Sequence, residues 1–295
     1  MSITNTKLWT ALITPMDEQG DLHLDELVSL IRRQEEAGNG VLLLGSTGEG
    51  LALGLKEKKE VVQTAANLDL NIPLMVGVGG FNHRKQQQWI TYCNQLDIEA
   101  FLLVTPLYAK PGPNGQERWF RMLLDAAKRP CMLYNVPSRT GTKMHPQVLE
   151  ELHNHLNLEA MKDASGSVAK YQEFRKAAPS LAIYSGDDGL LPFFAAAGCH
   201  GLVSVASNVW PKATRRYLEW SLAGRGPELL PLWQESTEAL FSASNPVPAK
   251  KLLQEKGVIS FAKYRPPLSA DDVVDPEMLI ETDRNITDWF KRTNQ

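Results

Sequence analysis

Lys162 follows directly on the short run Glu159-Ala160-Met161, at the end of an expected strand. There its side chain either points into a buried mouth or lies outside it in water. In the first case desolvation lowers the ammonium pKa and leaves a neutral amine able to attack a carbonyl and form an iminium. In the second it is a solvated lysine. Tyr134 ends the preceding apolar run and could carry protons to and from a carbinolamine if a hydroxyl tunes it; Thr47 and Tyr108 offer such hydroxyls. Each is ordinary alone, since a strand-end tyrosine usually packs and Ser-Thr-Gly is a common turn. The segment Gly45-Ser46-Thr47-Gly48 permits a tight loop whose N–H groups and hydroxyls could receive a small carboxylate. A Walker loop is excluded, because the Lys-Ser/Thr after its second glycine is missing. Arg139 stands between Pro137 and Gly141, where its planar fork could clamp a second carboxylate, although most loop arginines are only solvated.

These residues need elements to hold them. Short apolar runs recur, each followed by turn residues and then an amphipathic stretch, which is the written form of repeated βα units. Strands are expected through Thr10–Ile13, Val41–Leu44, Leu74–Val78, Phe101–Val104, Met132–Tyr134, Glu159–Met161, Ala182–Tyr184 and Leu202–Val205. Helices are expected over Leu24–Glu36, Lys56–Asn67, Arg84–Leu96, Glu117–Lys128 and Tyr171–Ala178. About eight βα units predict an α/β fold, a (β/α)8 TIM barrel with its chemistry at the C-terminal ends of the strands. An open doubly wound sheet is the alternative, but the first strand runs into Thr14-Pro15-Met16-Asp17 rather than a Gly-rich dinucleotide loop. Beyond Pro211 strand signals stop and helices punctuated by Gly224, Gly226-Pro227, Pro246, Pro248 and Pro266-Pro267 follow. The expected division is a catalytic barrel over 1–224 and a C-terminal helical extension over 225–295.

Composition narrows the function. The 295 residues are 43% hydrophobic and carry a net charge of -3, enough apolar matter for a large core and no basic field for nucleic acid. No stretch reads as a signal peptide or a membrane span. Cys93, Cys131 and Cys199 are odd in number and widely spaced, as free thiols of a reduced, cytoplasmic protein are. His153 and His155 suggest a metal pair, but residues two apart on a helix face different ways, so surface histidines are the better reading. Asp187-Asp188 reads as a polar turn or helix cap rather than a cation site, and the Lys56–Glu60 charge run as a solvated helix face.

Taken together, Gly45-Ser46-Thr47-Gly48-Glu49, Tyr134-Asn135-Val136-Pro137-Ser138-Arg139-Thr140-Gly141, Lys162-Asp163-Ala164-Ser165-Gly166 and Ser185-Gly186-Asp187-Asp188 resemble the class I aldolase family of the dihydrodipicolinate synthases and N-acetylneuraminate lyases, along essentially the whole chain. The resemblance implies that Lys162 forms an imine with pyruvate and that Tyr134 relays protons with Thr47 and with Tyr108, the last reaching in from the neighbouring subunit of a homodimer or homotetramer. It implies that Ser46 and Thr47 meet the pyruvate carboxylate, that Arg139 binds the carboxylate of aspartate semialdehyde, and that Gly186 and Val203 line the pocket. No metal or organic cofactor is implied, because the lysine iminium is itself the electron sink.

Departures from the family pattern bear on regulation. Ser46 stands where the synthases usually have a second threonine, and Leu107 where many have another tyrosine. Leu55, Lys58, Phe81 and Lys85 stand where lysine-inhibited members use polar or acidic groups and histidine, which predicts weak or absent inhibition by lysine. Within the family the competing reading is a lyase for a sialic acid or a 2-keto-3-deoxy sugar acid. The resemblance implies that sugar-directed members generally lack an arginine at the place of Arg139 and offer hydroxyl-binding groups instead, so Arg139 favours the semialdehyde. A barrel that binds a keto acid without turnover would be expected to lose Lys162 or Tyr134, and both are present.

Overall fold

A computed structural model describes residues 2–273 and 275–293. Met1, Val274, Asn294 and Gln295, which the expected segments 1–224 and 225–295 include, lie outside the described residues. Eight strands, β1 (Leu8–Ala11), β2 (Gly40–Leu43), β3 (Leu74–Val78), β4 (Ala100–Val104), β5 (Cys131–Asn135), β6 (Leu158–Asp163), β7 (Ala182–Ser185) and β8 (Gly201–Ser204), pair in parallel in chain order. Leu8 pairs with Leu202, so β8 closes onto β1 and the sheet has no edge, as a TIM barrel requires. Helices α1 (Leu24–Ala37), α2 (Leu55–Ala66), α3 (His83–Cys93), α4 (Pro113–Ala126), α5 (Pro137–Thr140), α6 (Pro146–Leu152), α7 (Val168–Ala177), α8 (Leu191–Ala196), α9 (Ala206–Val209) and α10 (Pro211–Leu222) accompany the barrel strands. Then α11 (Leu230–Leu240), α12 (Val247–Glu255) and α13 (Pro276–Thr293) form the C-terminal helices.

Period-two alternation explains which side chains fill the barrel. Trp9 and Ala11, Leu42, Met75, Leu102, Met132 and Tyr134, Ala160, Tyr184 and Val203 make one cluster inside the closed sheet. Their neighbours, such as Val41, Phe101, Leu133 and Ile183, pack outward into the larger core beneath the helices. The first strand lies two residues earlier than the sequence suggests. Its register is set by Leu8↔Leu202 and Thr10↔Val41, and although Leu12 and Ile13 are buried, the Ile13 N–H goes to Asn208 Oδ1 instead of a ladder. Helix α4 begins earlier than its apolar period indicates, because Pro113 fits the first turn where no N–H is needed.

The C-terminal helices dock through aromatic side chains: Trp233 stacks on Tyr217 at 4.0 Å and meets Trp210 and Trp289 edge-on. A second link is ionic. Lys250 on α12 and Glu49 in the loop after β2 are both buried, with Nζ 2.5 Å from Oε1. Glu49 Oε2 accepts from the Arg265 N–H, and Lys250 also donates to the Lys263 carbonyl. No helix among the described residues is long and apolar enough to cross a membrane. Cys93, Cys131 and Cys199 are buried and free.

Removing one member of a buried ion pair strands the other without solvent. Lys250→Ala is therefore expected to lower the unfolding free energy by about 3 to 5 kcal/mol in denaturant titration. A loss below about 1 kcal/mol would show that this pair does not anchor the β2 loop.

Candidate active site

Strand β6 runs through Lys162 and Asp163, so Lys162 belongs to the strand rather than following it. The strand continues because Lys162 pairs in register with Tyr134 on one side and Tyr184 on the other. Two residues beyond the inward Ala160, Lys162 points into the barrel, and the solvated alternative falls away: the residue is 6% exposed. Asn135 and Asp163, the outward residues next along each strand, lock the pair's register. Asn135 Nδ2 donates to Asp163 Oδ1 at 2.8 Å, and Ser165 Oγ donates to the other carboxylate oxygen.

The ammonium of Lys162 lies 4.3 Å from the centroid of the Tyr134 ring. Desolvation brings its pKa down to about 8, opposed by the carboxylates of Asp187 and Asp188 and assisted by the Arg139 charge. Burial pushes the Tyr134 phenol above its usual range, while Arg139 and hydrogen bonding from Ser46 pull it back. Asp187 is itself raised to about 6, chiefly by desolvation, and its Oδ2 accepts from the Gly166 N–H. Gly186 must be glycine here: a Cβ would sit 2.6 Å from Lys162 Cε. Val203 lies in the barrel interior with Tyr134.

The loop after β2 enters the site on two left-handed residues, Leu44 at φ 58° and Glu49 at φ 51°. Its two hydroxyls have different surroundings. Ser46 bears on Tyr134 by lowering the phenol pKa, and Thr47 Oγ1 accepts from Asn245 Nδ2 at 2.9 Å. Arg139 rides on α5, a single turn made by Pro137 at its start and left-handed Gly141 at its end, and its Nη2 donates to the Asn245 carbonyl at 3.1 Å. Tyr108 is not brought to the others within one chain. It is 86% exposed, with a left-handed φ of 63°, and its ring tilts against Phe81 at 6.4 Å.

A cavity of about 730 Å³ extends from Ser46, Val136, Arg139 and Asn245 to Leu107, Leu55, Lys58 and Lys85. The charge run of α2 is thus only partly solvated. Lys56 is exposed, but Lys58 lines the cavity with its pKa lowered by desolvation, and Lys59 sits 4.5 Å over the Tyr92 ring. Asp188 does act as a cap, but for the following unit: its carboxylate receives the Val205 and Ala206 N–H groups and the Ser204 hydroxyl. His153 and His155 have separate partners, the Glu150 carbonyl and Asp125. No cluster of metal-ligating side chains occurs among the described residues. Asn245 and Lys250 went unread in the sequence because their segment shows only prolines and a helical period. The one local sign is an asparagine set before Pro246.

The arrangement suits nucleophilic attack by an amine. At pH 7 about a tenth of Lys162 is neutral, against well under a thousandth of an unperturbed lysine. Carbamylation by cyanate, followed by peptide mapping across pH, should give Lys162 an apparent pKa near 8. Asp187→Asn should move that midpoint to lower pH, because it removes an anion that favours the ammonium; a midpoint near 10.5 would contradict the burial argument.

The chain matches the Dihydrodipicolinate synthetase family over residues 4–278. A 4-hydroxy-tetrahydrodipicolinate synthase of Francisella philomiragia is 48% identical over 287 residues, covering 97% of each chain. Among solved structures, the 4-hydroxy-tetrahydrodipicolinate synthase of Methylacidiphilum fumariolicum SolV has a TM-score of 0.91 at 27% identity, covering 98% of each chain. A Cyanidioschyzon merolae enzyme of this kind, solved with lysine bound, has a TM-score of 0.88 at 28% identity, covering 96% of this chain and 99% of its own.

Proposed function

The chain belongs to the dihydrodipicolinate synthetase family, and from that premise we propose that it is a 4-hydroxy-tetrahydrodipicolinate synthase, a lyase that condenses pyruvate with aspartate semialdehyde towards diaminopimelate and lysine. The observation that carries this reading is the in-register pair Tyr134 and Lys162, which puts a desolvated amine with a pKa of about 8 beside a buried phenol. Lys162 adds to the pyruvate carbonyl and, with loss of water, gives an iminium that makes the methyl protons acidic. The enamine forms a carbon–carbon bond to the aldehyde, whose oxygen takes up a proton. The amino group of the second substrate then attacks the iminium carbon; its new C–N bond closes the ring as the bond to Lys162 breaks and the lysine leaves as an amine. Tyr134 carries the protons, with Ser46 and Tyr108 as hydroxyl partners, and Thr47 completes the pyruvate carboxylate site beside Gly186 and Val203. No metal or organic cofactor is needed for these steps.

Tyr108 serves this reading in trans. Its exposure, with the exposed Phe81 ring against it, supports an apolar face completed by a second copy in a homodimer or homotetramer. The three free thiols favour a reducing, cytoplasmic setting. The Gly224 to Pro227 punctuation supports a catalytic barrel over 1–224 and a helical domain over 225–295.

Borohydride reduction in the presence of pyruvate should leave an adduct on Lys162 alone, and labelling elsewhere or nowhere sinks the mechanism. Product should form from pyruvate with aspartate semialdehyde, and cleavage of sialic acid in its place would favour the sugar-directed reading. Arg139→Ala should raise the barrier of the aldehyde step by about 2 to 4 kcal/mol while trapping of pyruvate persists. Lysine should inhibit poorly, because Lys58 and Lys85 in the cavity repel a third ammonium; half-inhibition well below about 1 mM would reject this.

A further inference from the structure

The second substrate of the proposed reaction carries a carboxylate and an ammonium on the same carbon. Arg139 accounts for the carboxylate; the ammonium needs an acceptor close to that guanidinium. Asn245, 5% exposed, meets both requirements from the C-terminal segment. Its main-chain carbonyl holds Arg139 Nη2 at 3.1 Å, its Nδ2 is spent on Thr47, and its Oδ1 is buried without a partner among the described residues, while the residue lines the cavity. Leaving a buried amide oxygen unpaired is costly, so an oxygen in this state beside a carboxylate clamp is a vacant acceptor.

Two other acceptors on the cavity wall, Glu49 and Tyr92, and the nearby Thr47 hydroxyl are taken or misplaced. Glu49 gives one carboxylate oxygen to Lys250 and the other to the Arg265 N–H. The Thr47 hydroxyl oxygen already accepts from Asn245. Tyr92 has a buried hydroxyl without a partner among the described residues, but the Lys59 ammonium lies over its ring and would repel a cation.

We propose that Asn245 is a specificity-determining residue whose Oδ1 accepts a hydrogen bond from the ammonium of the amino-aldehyde substrate, while its backbone carbonyl steadies the arginine that takes the carboxylate. This rests on the function proposed above and adds how the amino group is selected. A neutral amide also suits the chemistry. The ammonium must lose a proton before its nitrogen attacks the iminium, and a carboxylate in that place would raise its pKa and delay the attack.

The test compares aspartate semialdehyde with succinate semialdehyde, which keeps the aldehyde and carboxylate and lacks the ammonium. In Asn245→Ala, the KM for aspartate semialdehyde should rise at least about tenfold, while the inhibition constant of succinate semialdehyde changes less than about threefold. Pyruvate trapping on Lys162 should persist. Thr47→Val, which breaks the Thr47–Asn245 bond from its other end, should lower turnover without changing the ratio of the two affinities. Asn245→Ser provides a smaller perturbation should the alanine variant fail to fold, and the same selective loss is expected of it. Equal weakening of both ligands in these variants would show that Asn245 acts only through Arg139 and Thr47, and no weakening would remove it from recognition; either overturns the proposal. Failure of the unaltered protein to convert aspartate semialdehyde would instead overturn the function itself.

Discussion

Closing eight strands leaves an interior wide enough only for side chains, and every second residue of each strand must enter it. That constraint decides the chemistry of Lys162. Ala160 and Met132 fill the layer below, Tyr134 stands at its side in register, and the amine has no water shell with which to remain fully charged. A lysine one residue earlier or later would point out among the helices, as Met161 and Asp163 do. The site thus depends on strand register, and the outward pair Asn135 and Asp163 fixes that register by hydrogen bonding the same two strands on their other face.

The mouth of the barrel is held by residues far away in sequence. Glu49 follows the hydroxyl loop and cannot be buried as a carboxylate without a cation, which Lys250 supplies from α12. Asn245, a few residues before Lys250, reaches both Thr47 and Arg139. The C-terminal helices therefore act as a brace that sets the β2 loop and the arginine relative to each other, and their aromatic docking through Trp233 contributes to the geometry of the site as well as to stability.

The repeated βα pattern made the barrel legible in the sequence, because buried parallel strands must be apolar on both faces and are separated by helical periods. Lys162 and Tyr134 were legible as candidates by their place at strand ends, and Arg139 by its place in the loop beyond Tyr134. Strand limits were less so: β1 and β6 end where pairing partners end, a nonlocal matter that apolar runs do not encode. The surroundings of Ser46 and Thr47 depend on a loop entered through left-handed Leu44, and the involvement of Asn245 on a contact across nearly two hundred positions. Neither leaves a local trace. The Lys56–Glu60 run was misread for the same reason, since its period shows a polar face but not the cavity beneath Lys58.

The charges around Lys162 also bear on the order of events in the proposed reaction. Asp187 and Asp188 favour the ammonium, and Arg139 opposes them. A free Arg139 thus helps keep the amine neutral while the first substrate arrives. When a carboxylate later binds Arg139, that assistance is cancelled, but by then the lysine is held as an iminium, whose positive charge the same carboxylate stabilises. Neutralising Arg139 too early would return Lys162 towards its protonated form and slow imine formation. In the proposed reaction imine formation before the second carboxylate binds is in keeping with the Arg139 charge, which helps lower the Lys162 pKa.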